Sequence, residues 1–381
     1  MAEERKKGLE GVVVADTRLS RVQGDIGKLI YSGYDILELA DRASFEEVIY
    51  LLWYGKLPNA TELEGLHKTI AAEMAIPDAL TAMMRTYPRA AHPMAVLRTA
   101  VSTLGLYDPE AEDSSPEANQ RKAVRLTAKM PTIIAAWARI RAGHEPVAPR
   151  PDLGIAANFV YMLHDAEPNS TEVSAIDVYL VLHADHGMNA STFTSRVVTS
   201  TDGDMYSAVT AAIGSLKGPK HGGANEEAMR MFAEVSQAES VDRWFQEEVK
   251  GKGRRIMGIG HRVYKALDPR AVVLSRHAAA LCQRNNHCEL YDVAKRLADL
   301  VAADEYFVER KLYPNVDYYS AIVLDAVGIP TDMMTPMFAM SRIAGWSAHI
   351  IEQWADNRLI RPLDNYVGPQ DLKWVPLAER Q

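Results

Sequence analysis

The sequence predicts an all-α, multihelical fold with a minor β element at the N-terminus, on three observations. Beyond residue 40, nearly every apolar stretch recurs at the three- and four-residue spacing of a helix face. Those stretches open on capping residues and close on glycine or proline. Strand-like and helix-like segments do not alternate regularly, and no unit repeats at fixed length.

The elements follow in order. "GVVVADTRLSRVQGDIGKLIYSGYD" is apolar in short runs broken by Gly24, Gly27 and Gly33, which predicts small hairpins. In "ASFEEVIYLLWYGKLP", Ser44 and Glu47 stand at capping-box spacing, Gly55 marks the stop, and Pro58 lies beyond it. "TELEGLHKTIAAEM" repeats the pattern with Thr61 and Glu64. The acidic "YDPEAEDSSPEANQ" and the proline-rich "RAGHEPVAPRPDLG", which holds His144 and Glu145, are surface loops. "TEVSAIDVYLVLHADHG" places Val173, Ile176, Leu180 and Val181 on one face and stops at Gly187. Asp204 caps "MYSAVTAAIGSL", which ends at Gly218-Pro219. Helical segments then continue to "TPMFAMSRIAGWSAHIIEQWADNR".

The 381 residues allow about two to three domains. A 48% hydrophobic and 24% charged composition is that of a globular chain, and the net charge of −8 argues against nucleic acid as the main partner. Cys282 and Cys288 are too few for a disulfide framework or a structural zinc site, so unpaired thiols in a reducing compartment are expected. "MAEERKKGLEG" lacks the apolar core of a secretory signal, and no run reaches the roughly 18 residues of a membrane span. The expectation is a cytoplasmic enzyme.

Four stretches put charged and polar residues where helices end and glycines begin: "HADHGMNAST", "KGPKHGGANE", "GRRIMGIGHRVYKALDPR" and "YPNVDYYSA". A metal reading of His183, Asp185 and His186 lacks the HExxH pattern and any cysteine cluster, and nearby arginines would repel a cation. A dinucleotide loop fails because Val263 stands where "GIGHRVY" needs a third glycine. A carboxylate, two histidines and several arginines instead suit carbon–carbon bond formation through an enolate. The carboxylate takes a proton from carbon, and hydrogen-bond donors stabilise the oxygen that becomes negative. Arginines hold a dianionic acceptor by paired N–H bonds. The basic run Lys252, Arg254 and Arg255, before the Gly258–Gly260 turn, suits phosphates.

These stretches, with "GLEGVVVADTRLS", "SFEEVIYLLWYGKLP", "AHPM", "TPMFAMSRIAGWSAHIIEQ" and "NRLIRPLDNYVGP", closely resemble the citrate synthase family, in the shorter form shared with 2-methylcitrate synthase. The resemblance covers nearly the whole chain. It implies that His221 hydrogen-bonds the thioester carbonyl, that Asp317 takes the acetyl proton, and that His261 polarises the oxaloacetate ketone. It implies that His186 binds oxaloacetate, that Arg270 and Arg342 bind its carboxylates, and that Arg361 is contributed by the neighbouring subunit of a homodimer. Lys252, Arg254, Arg255, Gly258, Gly260 and Lys311 match coenzyme A positions.

The resemblance further implies a large domain of residues 1–218 and 322–381, with a small domain of 219–321 between them. The cleft would close on oxaloacetate. No metal or cofactor is expected beyond the coenzyme A thioester, which is a substrate. Expected products are citrate and coenzyme A. The rivals are 2-methylcitrate synthase acting on propionyl-CoA, or a bifunctional enzyme, because one methylene shifts selectivity by only about 1–3 kcal/mol. "YYSA" after Asp317 favours acetyl-CoA. A non-catalytic thioester-binding relative would be expected to lack Asp317 or His221, and both are present. A hydrolytic metalloenzyme would be sensitive to chelators.

Overall fold

In the computed structural model, which describes residues 6–286 and 288–380, one short antiparallel ribbon precedes the helices. Strands β1 (Ser20–Gln23), β2 (Lys28–Tyr31) and β3 (Tyr34–Asp35) pair in that order, with Ser20 opposite Tyr31. From Ile36 onward the described chain is helical apart from turns, one isolated bridge and the C-terminal tail, as the sequence periodicity predicts.

Local signals set most helix starts. Helix Phe45–Tyr54 carries the Ser44–Glu47 capping box and ends at Gly55 in the left-handed conformation. Asp204 accepts from the Ser207 amide and starts helix Met205–Leu216. The next capping box is displaced from its predicted place. Helix Ala60–Glu73 is capped by Asn59 with Glu62, two residues before Thr61 and Glu64. Asn59 follows Pro58, sits extended, and caps at least as well as threonine, so the earlier start prevails.

The apolar helix Met334–Ala355 is buried around nearly its whole circumference, as expected for a central element. Helices Pro116–Ala142, Ser170–His183, Ala190–Thr199 and Met205–Leu216 pack around it. Burying a side chain such as Met337, Ile343 or Ile350 there contributes roughly 1.5–3 kcal/mol. A second group joins helices Ala224–Ser236, Pro269–Asn285, Glu289–Ala303 and Val316–Ala326. Tyr318 anchors it, donating to the Ala294 carbonyl at 2.7 Å with its ring edge-on to Phe232.

Cys282 and Cys288 correct the sequence expectation, because they are joined by a disulfide. Helix Pro269–Asn285 ends at Asn286 in the left-handed conformation, and the turn brings the two Cα atoms to 4.7 Å. Counting cysteines gave no sign of that local return. No helix among the described residues is long and apolar enough to cross a membrane.

Candidate active site

His221 lies in the turn between helices Met205–Leu216 and Ala224–Ser236. The Gly222 amide folds back onto the Leu216 carbonyl at 3.0 Å, and a Cβ at Gly222 would stand 2.3 Å from that oxygen. The turn therefore requires glycine and presents His221 just ahead of a helix N-terminus. The Ser191 amide donates to His221 Nε2 at 3.2 Å, so that nitrogen carries a lone pair and the proton sits on Nδ1. The Ser191 hydroxyl is also 2.9 Å from Nε2, and it accepts from Trp346 Nε1. Burial, aided by Arg342, lowers His221 to about 4. His221 is thus a neutral imidazole with Nδ1–H as its remaining donor.

His261 has the opposite tautomer. Its Nδ1 accepts from the Val263 and Tyr264 amides at 3.0 and 3.1 Å, which leaves the proton on Nε2. Burial and Arg270 lower it to about 4. Gly258 and Gly260 approach it with φ of 76° and 85°, and a Cβ at Gly258 would strike the Tyr318 backbone at 2.9 Å. The loop is fastened to the start of helix Val316–Ala326: the Gly260 amide donates to Tyr313 O, and the Asn315 amide donates to Gly258 O, both at 2.8 Å.

Asp317 stands in the first turn of that helix. Burial pushes its carboxyl up to about 6, with Arg270 and Arg342 drawing it down and Asp268 pushing it up. At neutral pH it is ionised, yet it is a stronger base than an exposed aspartate. His186 follows the helix Ser170–His183, with its ring 5.5 Å from that of His261. Burial, Arg270 and His261 hold it well below the ordinary histidine value.

The two arginines differ in what they already hold. Arg270 is buried and forked onto Asp268, with Nε and Nη2 at 3.0 and 2.9 Å from its two oxygens. Asp268 also accepts from the Val316 amide at 3.1 Å, which ties the arginine to the helix bearing Asp317. Arg342 is 1% exposed, donates through Nε to the His183 carbonyl, and lies over the Phe338 ring at 4.6 Å. Among the described residues no carboxylate makes an ion pair with it. Burial lowers its pKa from the usual guanidinium value. The Asp185 carboxylate acts on it through space and raises its pKa against the burial, although the two make no ion pair.

Electrostatic coupling thus links His186, His221, His261, Arg270, Asp317 and Arg342 as neighbours. The remaining predicted residues lie elsewhere or are engaged. Lys252 pairs with Glu248, and Arg254 pairs with Glu234 while stacking on Trp244. Arg255 and Lys311 are exposed. Arg361 is exposed on the tail beyond Ala355. Ser191, Asn315, Asp268 and Tyr264 were missed by sequence reasoning. Only Asn315 and Asp268 left a signal, each standing one residue before a helix, at the capping position. Among the described residues no group of three or more ligating side chains is gathered to hold a metal ion.

Residues 8–363 match the family model described as citrate synthase, C-terminal domain. The chain is 50% identical to citrate synthase 2 of Bacillus subtilis over 98% of this chain and 99% of that one. It is 40% identical to a citrate/2-methylcitrate synthase of the same organism, covering 95% and 96%. Its structure matches the citrate synthase of Pyrobaculum aerophilum with a TM-score of 0.93 at 43% identity, covering 98% and 95%. It matches the Thermoplasma acidophilum citrate synthase, solved as a ternary complex with carboxymethyl coenzyme A and oxaloacetate, with a TM-score of 0.92 at 35% identity, covering 99% and 100%.

Proposed function

The chain belongs to the citrate synthase family of acyltransferases, and from that premise we propose how its pocket joins acetyl-CoA to oxaloacetate. Asp317 takes a proton from the acetyl methyl, while His221 Nδ1–H donates to the thioester oxygen and stabilises the enolate. The enolate carbon attacks the ketone carbon of oxaloacetate. His261 Nε2–H donates a hydrogen bond to the ketone oxygen; as the new carbon–carbon bond forms, that oxygen gains a proton and becomes the hydroxyl of citryl-CoA, balancing the proton that Asp317 took from the methyl. Water then cleaves the thioester of citryl-CoA, releasing citrate and coenzyme A.

Neutral histidines suit this chemistry, because a donor near the pKa of an enol stabilises an oxyanion without being ionised beforehand. Arg342 and Arg270 take the acceptor's carboxylates, with His186 beside them and the partner subunit's Arg361 completing the set. Lys252, Arg254, Arg255 and Lys311 serve the phosphates of coenzyme A, and Gly258 and Gly260 give it close backbone access. The exposed apolar tail residues Leu363, Val367, Leu372 and Trp374 favour a two-fold partner as the surface that covers them. In this reading residues 219–321 form a small domain against a large domain of 1–218 and 322–381, and the cleft between them closes on oxaloacetate. A cytoplasmic location fits the substrates.

The observation that carries this reading is Arg342: a buried cation in no carboxylate ion pair, coupled electrostatically to His186, to neutral His221 and to the raised Asp317. Thiol release tests it. Acetyl-CoA with oxaloacetate should liberate coenzyme A, and omitting oxaloacetate should abolish turnover. The second reading, propionyl-CoA as the preferred donor, is carried by the citrate/2-methylcitrate relative. A larger kcat/KM for propionyl-CoA than for acetyl-CoA would establish it.

A further inference from the structure

We propose that the N-terminal ribbon sets the spacing between His186 and His261, making Ser20 and Gly24 positioning residues for oxaloacetate binding. The inference rests on the reading of both histidines as oxaloacetate ligands.

One end of the ribbon grips the His186 loop. Ser20 and Tyr31 face each other across β1 and β2, so their side chains leave the ribbon on one face. Both reach Asp185, the residue before His186. The Ser20 hydroxyl donates to Asp185 Oδ2, and it accepts from the Gly187 amide at 2.9 Å. The Tyr31 hydroxyl donates to Asp185 O at 2.7 Å and accepts from Asp185 N at 3.1 Å. The main chain on either side of His186 is therefore fixed by two hydroxyls of the ribbon.

The other end holds the His261 loop. The Lys265 amide donates to Gly24 O at 2.9 Å. A Cβ on Gly24 would lie 2.2 Å from the Val263 carbonyl oxygen, and one on Gly27 would lie 2.6 Å from that of Leu267. The turn thus docks backbone to backbone against residues 263–267. Val263 and Tyr264 are the residues whose amides hold His261 Nδ1. Tyr264 also reaches back, its hydroxyl 3.4 Å from His186 Nε2.

Between these ends run four cross-strand pairs, from Ser20↔Tyr31 to Gln23↔Lys28. The cross-strand bonds of that ladder set the separation of its two ends. The ladder is a ruler spanning two loops that are about 75 residues apart in sequence. The histidine spacing is what recognises a ketone and its neighbouring carboxylate together.

The test measures oxaloacetate affinity by calorimetry, together with the thermal midpoint. Gly24→Ala is made alone and with His261→Ala, and Ser20→Ala is made alone and with His186→Ala. Each ribbon variant should weaken oxaloacetate binding by about tenfold while remaining folded, and Gly24→Ala should also lower the thermal midpoint because its Cβ displaces the Val263 carbonyl. The binding penalty should shrink to less than about twofold once the matching histidine is gone, because the two changes then act on one contact. If Gly24→Ala fails to fold, the Ser20→Ala pair decides. Unchanged affinity in folded ribbon variants overturns the inference, and so does a full penalty persisting without the histidines. If His186→Ala and His261→Ala alone bind oxaloacetate as the parent does, the site reading falls and the inference falls with it. Loss in those variants, with normal binding in the ribbon variants, overturns the inference alone.

Discussion

Asn315 Nδ2 donates to the Gly260 carbonyl at 2.7 Å, while its Oδ1 accepts from the Asp317 amide at 2.9 Å. One side chain therefore lashes the His261 loop to the helix that carries Asp317. Asn315→Ala removes both bonds, the second of which is the helix cap. Kinetics should show kcat/KM falling by about 10- to 100-fold, with a stability loss of roughly 1 kcal/mol for the cap. Unchanged kinetics beside the expected destabilisation would reduce Asn315 to a cap.

Arg342→Lys keeps a basic group but loses the planar fork and its Nε bond to His183 O. Calorimetry should show oxaloacetate affinity reduced by at least about tenfold. Thermal stability should stay level or rise, because lysine can neutralise itself when buried without a partner. Normal affinity would place Arg342 outside the acceptor site.

The pH dependence follows from Asp317. Condensation needs its ionised form, so kcat/KM should rise with pH to a limb near 6 and then level off. His221 and His261, at about 4, add no further limb above pH 5. Stability should run the other way. Asp317 is raised from 3.8 in the unfolded chain to about 6, so the folded protein binds more protons between those values. Its favourable contribution is complete below pH 3.8 and is lost as pH rises through 6. Asp317→Asn should therefore gain roughly 1–3 kcal/mol over the parent at pH 7.5, with little gain at pH 3.5. Denaturant midpoints at the two pH values check the sign.

Much of the site was legible because five of the six coupled residues fall in short stretches at or beside helix ends, where a chain can be read locally, whereas Arg342 lies inside helix Met334–Ala355 and was singled out only through the family resemblance. Ser44 and Glu47 were legible for the same reason, as both ends of their bonds lie within four residues. What escaped was what holds the site. Ser191 fixes the tautomer of a histidine 30 positions away, and Asp268 receives an amide 48 positions away. Nothing local to Ser20 or Gly24 announces the loops they meet across the fold. The helix at Asn59 was misplaced because Thr61 and Glu64 satisfy the same spacing rule as Asn59 and Glu62.

Arg361 lies on an exposed tail, and Pro362 keeps that tail from continuing as a helix. If each site takes Arg361 from the partner, refolding a mixture of Asp317→Asn and Arg361→Ala should restore activity. A mixed dimer then has one site with both lesions and one with neither. About a quarter of all sites should be intact after random mixing. No recovery despite confirmed mixed dimers would assign Arg361 to its own subunit.

The central claim is that Asp317 is the carbon base of a citrate-forming condensation. The most direct measurement is kcat for thiol release from acetyl-CoA with saturating oxaloacetate, in the parent and in Asp317→Asn. The amide keeps the shape and removes the proton acceptor. The account predicts a fall of about 10²- to 10⁴-fold, with oxaloacetate affinity little changed. Near-parental turnover in the folded variant would contradict it.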